Sequence, residues 1–584
     1  MKLYRIKQVL VLLILAAFAS CQKIDIKSFD AQAGEIAFDK SSLDAGNQLD
    51  TLEIALQSNL PYRLKTASNW ITFVKANGLA SDKVQIIVAR NRELVDRTGI
   101  VEAYITDQVK TSLTIVQKAG EVSSETKHLY VKATATASTD GLSWEKATSL
   151  DQALKDAENG DVIHVAAGVY RPTVTLTGGS QAGDITFEIA QNIKLIGGYP
   201  SQASTGATAD PINNKTELNG DDKAIHVLTI LAPKTPGQKV EIDGFTLTKG
   251  KAGGTGTVPS NGLNISRQHG AGLLIAGSVV ELKNMRITDN SSANHNPGVY
   301  LTAAADVIIR NSTISNNYCT IASSNGGGIW NDGSRLQLID SEIVGNRIGG
   351  VGAGLYSLNT SVESVNILYN VTIANNVAGM FGANSVGGGI YAREKSQFYL
   401  INSTIHSNRA GGNGFGGGIA MYGASQMNLI NSTVTANQGG MNNAGSGGSA
   451  IQNASAANNS LFIYNSIIAG NVSTGSPELG GNAFASYSIK SSTLGTQVYD
   501  YDGKLGTKTF DPQASFGTVG NHGAYGETVP LKGASAATTD GMTTLQLQIL
   551  GVNLSAINAD YLLIDQKNVS RNGKAIMGAD ISVK

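Results

Sequence analysis

Five basic side chains between residues 347 and 409 have the types needed to remove a proton beside a carboxylate. Arg347 and Arg409 each follow the last asparagine of a repeated phrase, two repeats apart, and His406 precedes Arg409 on the same stretch. Arg393 and Lys395 alternate on the strand predicted between these phrases. Facing one groove, the arginines would neutralise a sugar-acid carboxylate while His406 or Lys395 takes the adjacent proton. The alternative is a scatter of solvated charges on a polar wall, because catalysis requires such groups to converge.

Carboxylates are sparse in the same region, which limits hydrolytic chemistry. Asp340 and Glu342 alternate on one predicted strand, about 6.6 Å apart at two strand rises. That separation lies within the range of about 5 to 9.5 Å between the two carboxyl groups of glycoside hydrolases. Asp340 also stands where the repeat has asparagine, so the alternative is a structural substitute. The acidic residues between 291 and 470 are Asp306, Asp332, Asp340, Glu342, Glu363 and Glu394.

A seven-residue phrase recurs through the second half of the chain and must build the elements that carry these side chains. Its starts are 27 to 34 residues apart, a period that indicates a solenoid. The seven copies are NMRITDN (284 to 290), NSTISNN (311 to 317), DSEIVGN (340 to 346), NVTIANN (370 to 376), NSTIHSN (402 to 408), NSTVTAN (431 to 437) and NSIIAGN (465 to 471).

Between these phrases lies a glycine phrase such as GGGIW (326 to 330) or GGGIY (387 to 391), followed by an apolar strand such as QFYLI. Stacked coils would place each strand beside its equivalent in parallel sheets, about 4.8 Å apart. The central aliphatic residue of each phrase then forms one interior column, and the asparagines form ladders at the bends. The residues of this predicted column are Ile287, Ile314, Ile343, Ile373, Ile405, Val434 and Ile468.

This pattern resembles the pectin-lyase-like right-handed β-helix proteins, and the glycine phrases paired with NSTI also resemble adhesin-like outer-membrane proteins. Residues 140 to 199 resemble the N-terminal cap of secreted β-helices, and residues 521 to 581 resemble the ending of a surface-anchored group. The resemblance predicts a right-handed, single-stranded parallel β-helix over 128–520 and a C-terminal cap region over 521–584, with Asp565 and Arg571 as a candidate ion pair. It implies that an enzyme here would be a polysaccharide lyase or glycoside hydrolase. Related lyases use Ca²⁺, but no metal or cofactor is predicted.

Residues 33–120 form a separate strand-rich segment, which predicts a small β-sandwich. Asn59, Trp70, Asn91 and Arg97 fall in motifs that resemble the BACON domain of Bacteroidetes surface proteins. That resemblance implies a carbohydrate- or mucin-binding module, or a spacer. Trp70 and Arg393 are the candidate glycan contacts, although a single Trp beside an aliphatic residue is more often core. A linker, 121–127, follows.

Residues 1–20 have a cationic start, an apolar run and small residues before Cys21, which predicts a secretory signal too short to span a bilayer. The ending resembles a bacterial lipobox, which would make Cys21 the lipidated first residue. A plain signal peptide with an incidental cysteine is the alternative. Gln22 after the cysteine favours, by family analogy, an outer-membrane and possible cell-surface location, with residues 21–32 as a tether.

Composition excludes one class of partner and leaves three functions open. The formal net charge is −1 and charged residues make up 15%, unlike the basic footprint of nucleic-acid-binding proteins. The leading hypothesis is binding of polysaccharide or mucin glycans by a lipid-anchored surface protein. The alternatives are a polysaccharide lyase or hydrolase and a structural stalk. Arg267, His269 and His295, on loops 251 to 269 and 289 to 297, would then form the wall of a binding cleft.

Overall fold

The chain divides into two compact units, residues 1–122 and 123–584, which are described separately. The structure is a computed structural model that describes residues 33–581 except 48–49, 69, 90, 92–94, 120–125, 137–138, 359–361, 381–384, 440–447, 455–457, 473–476, 487, 491–496, 501–510, 534, 555 and 572–575. The predicted signal, Cys21 and the tether lie outside the described residues. No helix in the described part of the chain is long and apolar enough to cross a membrane.

The first unit contains two β-sheets that share one core. Alternating residues such as Ile54, Ile86 and Leu113 point inward from both sheets and are buried together. The four-stranded sheet comprises, in spatial order, Ile36–Phe38, Asp50–Ser58, Asp82–Val88 and Ile71–Phe73. The five-stranded sheet comprises Ser42–Ala45, Lys110–Gln117, Arg97–Tyr104, Tyr62–Thr66 and Asn77–Gly78. This is the predicted β-sandwich arrangement.

The second unit is a parallel β-helix with four sheets, here called A to D, whose strands pair only with their equivalents in neighbouring coils. Each coil runs from A to B, then through D where it is present, and on to C. Among the described residues, sheet A has the strands His128–Val131, Val162–Ala166, Lys194–Tyr199, Val240–Asp243, Val279–Lys283, Asp306–Arg310, Arg335–Ile339, Val365–Tyr369, Gln397–Ile401, Gln426–Ile430, Ser460–Tyr464, Asn482–Ser486 and Gln497–Asp500.

Sheets B, C and D complete the wall of the solenoid. Sheet B comprises Gly168–Tyr170, Thr216–Asn219, Phe245–Thr248, Arg286–Thr288, Thr313–Ser315, Glu342–Val344, Thr372–Ala374, Thr404–His406, Thr433–Thr435, Ile467–Ile468 and Ile489–Lys490. Sheet C comprises Phe187–Ile189, Leu228–Ile230, Leu273–Ala276, Val299–Thr302, Ile329–Asp332, Leu355–Leu358, Ile390–Ala392, Ile419–Met421, Ile451–Asn453 and Leu479–Gly480. Sheet D comprises Lys251–Ala252, Ser291–Ser292, Tyr318–Cys319, Arg347–Ile348, Val377–Ala378 and Arg409–Ala410.

The predicted aliphatic column is confirmed on the inner face of sheet B. Ile314 pairs with Ile343, Ile343 with Ile373 and Ile373 with Ile405, and each of these side chains is fully buried. The column continues in both directions along the repeats. One aliphatic residue per coil therefore gives the solenoid a continuous core.

The predicted asparagine ladders are also confirmed, and there are two. In the first, the last asparagine of each phrase is buried: Asn346 Nδ2 donates to Asn376 Oδ1 at 3.0 Å, and Asn376 Nδ2 donates to Asn408 Oδ1 at 2.9 Å. The second ladder uses the first position of each phrase, where the backbone is left-handed. Asp340 (φ 46°) takes that position and accepts from Asn370 Nδ2 at 2.9 Å, so it is the structural substitute that the repeat suggested.

A short helix, α1 (Leu150–Asp156), covers the first coil. Ser149 caps it by accepting a hydrogen bond from the Gln152 amide. Leu150 and Ala153 are buried in the solenoid core, so the helix closes its apolar end. An antiparallel hairpin, Thr257–Ser260 with Leu263–Ser266, packs on the outer face of sheet C at Leu274.

The C-terminal segment, residues 511–581, lies along the outside of sheets A and B. It contains α2 (Pro512–Ser515), α3 (Ala536–Thr539), α4 (Thr544–Asn553) and the 3₁₀ helix Ala559–Leu563. Tyr561 stacks on Tyr369 of sheet A with ring centroids 4.1 Å apart. Outward apolar side chains of sheet A, such as Ile401 and Ile430, need this cover to leave water.

Asp565 and Arg571, the candidate ion pair, are both buried but bond mainly to backbone. The Arg571 guanidinium donates to the carbonyl oxygens of Ile564, Ile576 and Gly578. Asp565 instead accepts backbone amides, including that of Val569 at 2.8 Å. Burial lowers the pKa of Arg571 to about 10, while the nearby Asp565 charge opposes that shift. The pair therefore fastens the C-terminal turns rather than forming a direct contact.

Candidate functional site

Arg347 and Arg409 share one column on sheet D. Arg347 pairs with Val377, and Val377 pairs with Arg409, so the two arginines lie two strand spacings apart, about 9.6 Å along the axis. Both side chains are exposed. The structure therefore brings these two residues onto one surface, as their spacing predicted.

His406 does not join them in an open groove. It lies on the outer face of sheet B, where the C-terminal segment covers it, and is only 1% exposed. Its Nε2 lies 3.4 Å from Glu527 Oε2 and makes no hydrogen bond within the described structure. Burial lowers the pKa of His406 to about 4. His406 points outward as predicted, but the expectation that it is accessible as a base is wrong, because a segment more than 100 residues later in the chain packs over it.

Arg393 and Lys395 lie on a third part of the coil. They follow the sheet C strand Ile390–Ala392, at the bend towards sheet A. Arg393 Nε contacts Glu394 Oε1 at 3.1 Å, and the Arg393 guanidinium opposes the rise that burial causes in the pKa of Tyr356. Arg347 and Arg409 belong to sheet D, on the other side of sheet C. The five basic residues therefore occupy three separate faces.

Asp340 and Glu342 also point to different surroundings. Asp340 belongs to the outer ladder at the bend, whereas Glu342 accepts from Thr313 Oγ1 at 2.9 Å beneath the C-terminal segment. Burial raises the pKa of Glu342, and the Glu527 charge adds to that shift. The carboxyl group next to Glu342 is thus Glu527, not Asp340.

Trp70, in the first unit, packs against the sandwich core with one ring face occupied. The Arg97 guanidinium lies over that ring, 4.4 Å from its centroid. Asn91, another residue of the sequence motif, is fully buried and donates to the Val95 and Lys118 carbonyls. These contacts favour a structural role for both residues.

An aromatic column runs along the outer face of sheet C. Tyr300, Trp330, Tyr356 and Tyr391 occupy equivalent positions in four consecutive coils. Neighbouring ring centroids are 5.7, 4.9 and 5.4 Å apart. The rings pack on one another, so each exposes only an edge, at most 8% of the residue. The signal was present in the sequence, since an aromatic residue follows the aliphatic one in GGGIW, GAGLY and GGGIY.

His269 and His295 pack together at the N-terminal end of this column, beside Tyr300 and Trp330. The His269 ring centroid lies 4.7 Å from that of Tyr300, 4.6 Å from that of Trp330 and 5.2 Å from that of His295. Burial lowers the pKa of His269 to about 3 and lowers that of His295 as well, so both imidazoles are neutral at neutral pH. The two histidines and the four rings of the column thus pack into one surface, called here the sheet C wall.

Arg267 is absent from this wall because it holds the adjacent loop. Its guanidinium makes two hydrogen bonds to the Asp184 carboxylate, at 2.7 and 2.8 Å, and donates to the Thr257 carbonyl. Both side chains are buried, and the Arg267 guanidinium lowers the pKa of Asp184 to about 2. The pair fixes the hairpin that covers Leu274.

Several polar atoms of this wall have no partner in the described structure. They are Trp330 Nε1, both ring nitrogens of His269 and Nδ1 of His295, all closed from solvent. A buried donor without an acceptor costs about 1–3 kcal/mol. At the rim, Tyr300 Oη donates to Asp332 Oδ2 at 2.9 Å. In the described residues, no group of three or more His, Cys, Asp or Glu side chains is placed to hold a metal.

Comparison with known proteins establishes the architecture. Residues 252–493 match the family model described as a right-handed β-helix region, so the solenoid is a right-handed parallel β-helix. A crystal structure of pectate lyase Pel9A is 14% identical, with a TM-score of 0.38, over 60% of this chain and 78% of that one.

A second similar structure gives a weaker match, and neither structure extends the argument. A GH5 xyloglucanase from Bacteroides ovatus, in complex with a XXXG heptasaccharide, is 12% identical with a TM-score of 0.15. That match covers 36% of this chain and 46% of the enzyme. No curated protein sequence matches the chain. At these values the two structures supply no inference about activity.

Proposed function

We propose that this chain is an exported, lipid-anchored protein of the outer membrane that binds polysaccharide or mucin glycans, in an adhesin or carbohydrate-binding role. The observation that carries the proposal is Trp330, whose indole N–H has no described partner within a column of aromatic rings. The lipobox-like sequence at Cys21 and the BACON-like motifs of the sandwich support export and surface display.

The sheet C wall offers the two kinds of contact that a sugar needs. The exposed ring edges give a sugar an apolar contact, and the neutral N–H groups donate to its hydroxyl oxygens. Trp330 Nε1 is closed from solvent, so a ligand oxygen reaches it when the partly exposed His269 or His295 side chain moves aside. The ligand would then recover the cost of the unpaired donor.

An enzymatic function is the second candidate, favoured by one observation. Glu342 has a raised pKa and lies near a second carboxyl group, Glu527. A carboxyl group with a raised pKa can serve as the acid in glycoside hydrolysis when a second carboxyl group lies nearby. On this alternative, Glu342→Gln would abolish cleavage of a polysaccharide. A structural stalk, with neither binding nor cleavage, is the third outcome.

The test uses residues 22–584, which include every described residue, with a panel of pectic, alginate, glycosaminoglycan and mucin glycans. Retention on each immobilised glycan is measured beside the release of reducing ends and unsaturated sugars. Trp330→Phe keeps an aromatic ring but removes the N–H, and Trp144→Phe is the control at a similarly buried indole outside sheet C. We expect retention that falls about tenfold in Trp330→Phe only. Cleavage lost in Glu342→Gln would support the enzyme instead.

A further inference from the structure

A cleft lies beside α1 and the first coil of the solenoid. It has a volume of about 620 Å³, within the range of small-molecule sites. One wall is α1 and another is residues 169–177, which lead away from the first strand of sheet B. Glu188, the outward residue of the first sheet C strand (Phe187–Ile189), contributes the third wall together with its neighbours in the chain. None of these residues belongs to the aromatic column.

Two carboxylates hold the 169–177 wall in the same manner. Asp151 Oδ2 accepts from the amide and hydroxyl of Thr173. Glu188 Oε2 accepts from the amide and hydroxyl of Thr177, at 2.9 and 2.8 Å. Each carboxylate thus uses one oxygen to fix the wall.

The second oxygen of Glu188 is the feature that indicates a ligand. Glu188 Oε1 is closed from solvent and has no hydrogen-bond partner among the described residues. Buried polar atoms in folded proteins almost always have a partner, and a charged oxygen loses more than a neutral one when it has none. A donor from outside the chain, brought into the cleft, would satisfy this atom once the half-buried Glu188 side chain shifts to open Oε1 to the cleft.

The charges that line the cleft restrict what that donor belongs to. A simple cation would be repelled by Lys132, Lys155 and Arg171, and a simple anion would be repelled by Asp151 and Glu188. A neutral molecule with many hydroxyls suits both signs, because a hydroxyl donates to a carboxylate and accepts from an ammonium group.

Apolar side chains at the rim fit the same class of ligand. Val169 and Val174 line the cleft and are 44% and 51% exposed. Exposed valines beside charged groups give a mixed surface, which matches the C–H faces and hydroxyl edges of a sugar ring. The lining therefore has an apolar contact and polar donors and acceptors for one saccharide.

We propose that this cleft binds a neutral saccharide, with a sugar hydroxyl donating to Glu188 Oε1. The site is independent of the sheet C wall and of the function assigned to that wall. The ligand could be a free oligosaccharide or the end of a longer glycan, since both present the same hydroxyl groups and C–H faces and differ only in length. The residues that recognise them are Glu188 for one hydroxyl, Lys155 or Lys132 for a ring or hydroxyl oxygen, and Val174 for a C–H face.

The test is calorimetric titration of residues 22–584 with methyl glycosides of glucose, galactose, mannose and N-acetylglucosamine, and with the corresponding oligosaccharides. Sodium galacturonate and spermidine serve as the anionic and cationic probes. In Glu188→Gln, the amide oxygen keeps the two Thr177 bonds, and the amide nitrogen replaces the free acceptor. We expect at least tenfold weaker binding of the neutral sugar in this variant, and unchanged binding in Glu241→Gln on sheet A.

A second variant separates ligand binding from folding. Val174→Trp enlarges an exposed rim residue and blocks the cleft, so it should abolish binding while the melting temperature stays within a few degrees of wild type. The proposal would be overturned if no neutral sugar bound saturably, or if Glu188→Gln and Val174→Trp bound the sugar with wild-type affinity. Tighter binding of galacturonate or spermidine than of the neutral sugars would overturn it as well. Trp330→Phe should leave this binding intact. Sugar binding lost only in Trp330→Phe would support the sheet C wall and reject the cleft.

Discussion

Sheets B and C are built from the same repeats, but their outer faces differ in how their polar groups are bonded. The outer face of sheet B is bonded to the chain itself: Gln566 Nε2 donates to Thr372 Oγ1 at 2.8 Å, and its Oε1 accepts from Thr404 Oγ1 at 2.6 Å. Further along, Thr433 Oγ1 accepts from the Ala579 amide at 3.1 Å. The outer face of sheet C and the histidines packed on it instead retain Trp330 Nε1 and three imidazole nitrogens without a described partner, whereas on the covered face of sheet B the corresponding atom is His406 Nε2.

This difference gives the NST phrases a structural explanation. Their threonines receive the C-terminal segment, and their asparagines do so as well: Asn402 Nδ2 donates to the Tyr561 carbonyl at 2.6 Å and Asn431 Nδ2 to that of Leu562 at 3.1 Å. The serines form a further internal ladder, in which Ser432 Oγ accepts from the Ser403 amide. A satisfied face stabilises the fold, whereas a face with unpaired donors is the better candidate for a ligand.

The largest expected effect on sheet B is its dependence on pH. His406 has a pKa of about 4 in the folded protein, against an ordinary value of 6.5. Between these values the unfolded chain binds a proton that the folded chain excludes, so stability is complete above pH 6.5 and falls as the pH drops towards 4. The loss is at most about 3 kcal/mol, because 1 pKa unit corresponds to about 1.4 kcal/mol and the Glu527 carboxylate attracts the proton.

Guanidinium unfolding at pH 7.5, 5.5 and 4.5 measures this dependence. His406→Gln should lose less free energy of unfolding on acidification than the wild type, while His522→Gln, in the same C-terminal segment, should follow the wild type. Equal pH dependence in His406→Gln and the wild type would show that the C-terminal segment does not hold this histidine neutral.

Gln566→Ala tests the bonds between the C-terminal segment and sheet B. The variant leaves the buried hydroxyls of Thr372 and Thr404 with fewer partners, so we expect a loss of about 2 kcal/mol and faster proteolysis of the C-terminal segment. Gln513→Ala, at an exposed glutamine of the same segment, is the control. If both variants are cleaved at the wild-type rate, sheet B does not depend on this cover.

Tyr300→Phe makes the corresponding change on sheet C and should have a smaller effect on stability. It removes one hydrogen bond, from Tyr300 to the partly exposed Asp332, and keeps the ring in the aromatic column. We expect a loss of at most about 1 kcal/mol in the free energy of unfolding. A loss larger than that of Gln566→Ala would reverse the comparison between the two faces.

The double variant Arg347→Ala, Arg409→Ala should have the smallest effect. Both side chains are exposed on sheet D, away from Arg393 and Lys395. Substitutions at such positions usually change stability by less than about 0.5 kcal/mol. Glycan retention should also equal that of the wild type. Loss of retention or of cleavage in this variant would place the site on sheet D and contradict the sheet C assignment.

Sequence predicted the parts of the fold that repeat at fixed spacing. Ile343 and Asn346 could be assigned to a core column and a ladder because an aliphatic residue and an asparagine recur at these positions in all seven copies of the phrase. Asp340 was recognised for the same reason, as a replacement in a repeated asparagine position. The aromatic column has the same periodicity. Trp330 and Tyr391 were not predicted as a column because only the glycines and the aliphatic residue of each glycine phrase were assigned a role.

The predicted convergence of the basic residues was wrong because the surroundings of these side chains depend on contacts with residues distant in sequence. His406 alternates outward on its strand, so a local pattern suggests exposure, yet the cover comes from Glu527 and its neighbours. Arg393 and Arg409 are close in sequence but lie on opposite sides of sheet C. Spacing along the chain predicts which coil a residue occupies, but convergence on one face also requires the sheet assignment and the path of the C-terminal segment.

The most direct measurement is a two-dimensional NMR spectrum of the indole N–H groups during titration with a retained glycan. The sequence has 3 tryptophans, Trp70, Trp144 and Trp330, and Trp330→Phe identifies the signal of Trp330. If the glycan binds the sheet C wall, the Trp330 indole signal shifts and saturates with the glycan concentration, while the signals of Trp70 and Trp144 stay in place. A bound glycan that shifts only Trp70 or Trp144, or that leaves all three signals unchanged, would contradict the account.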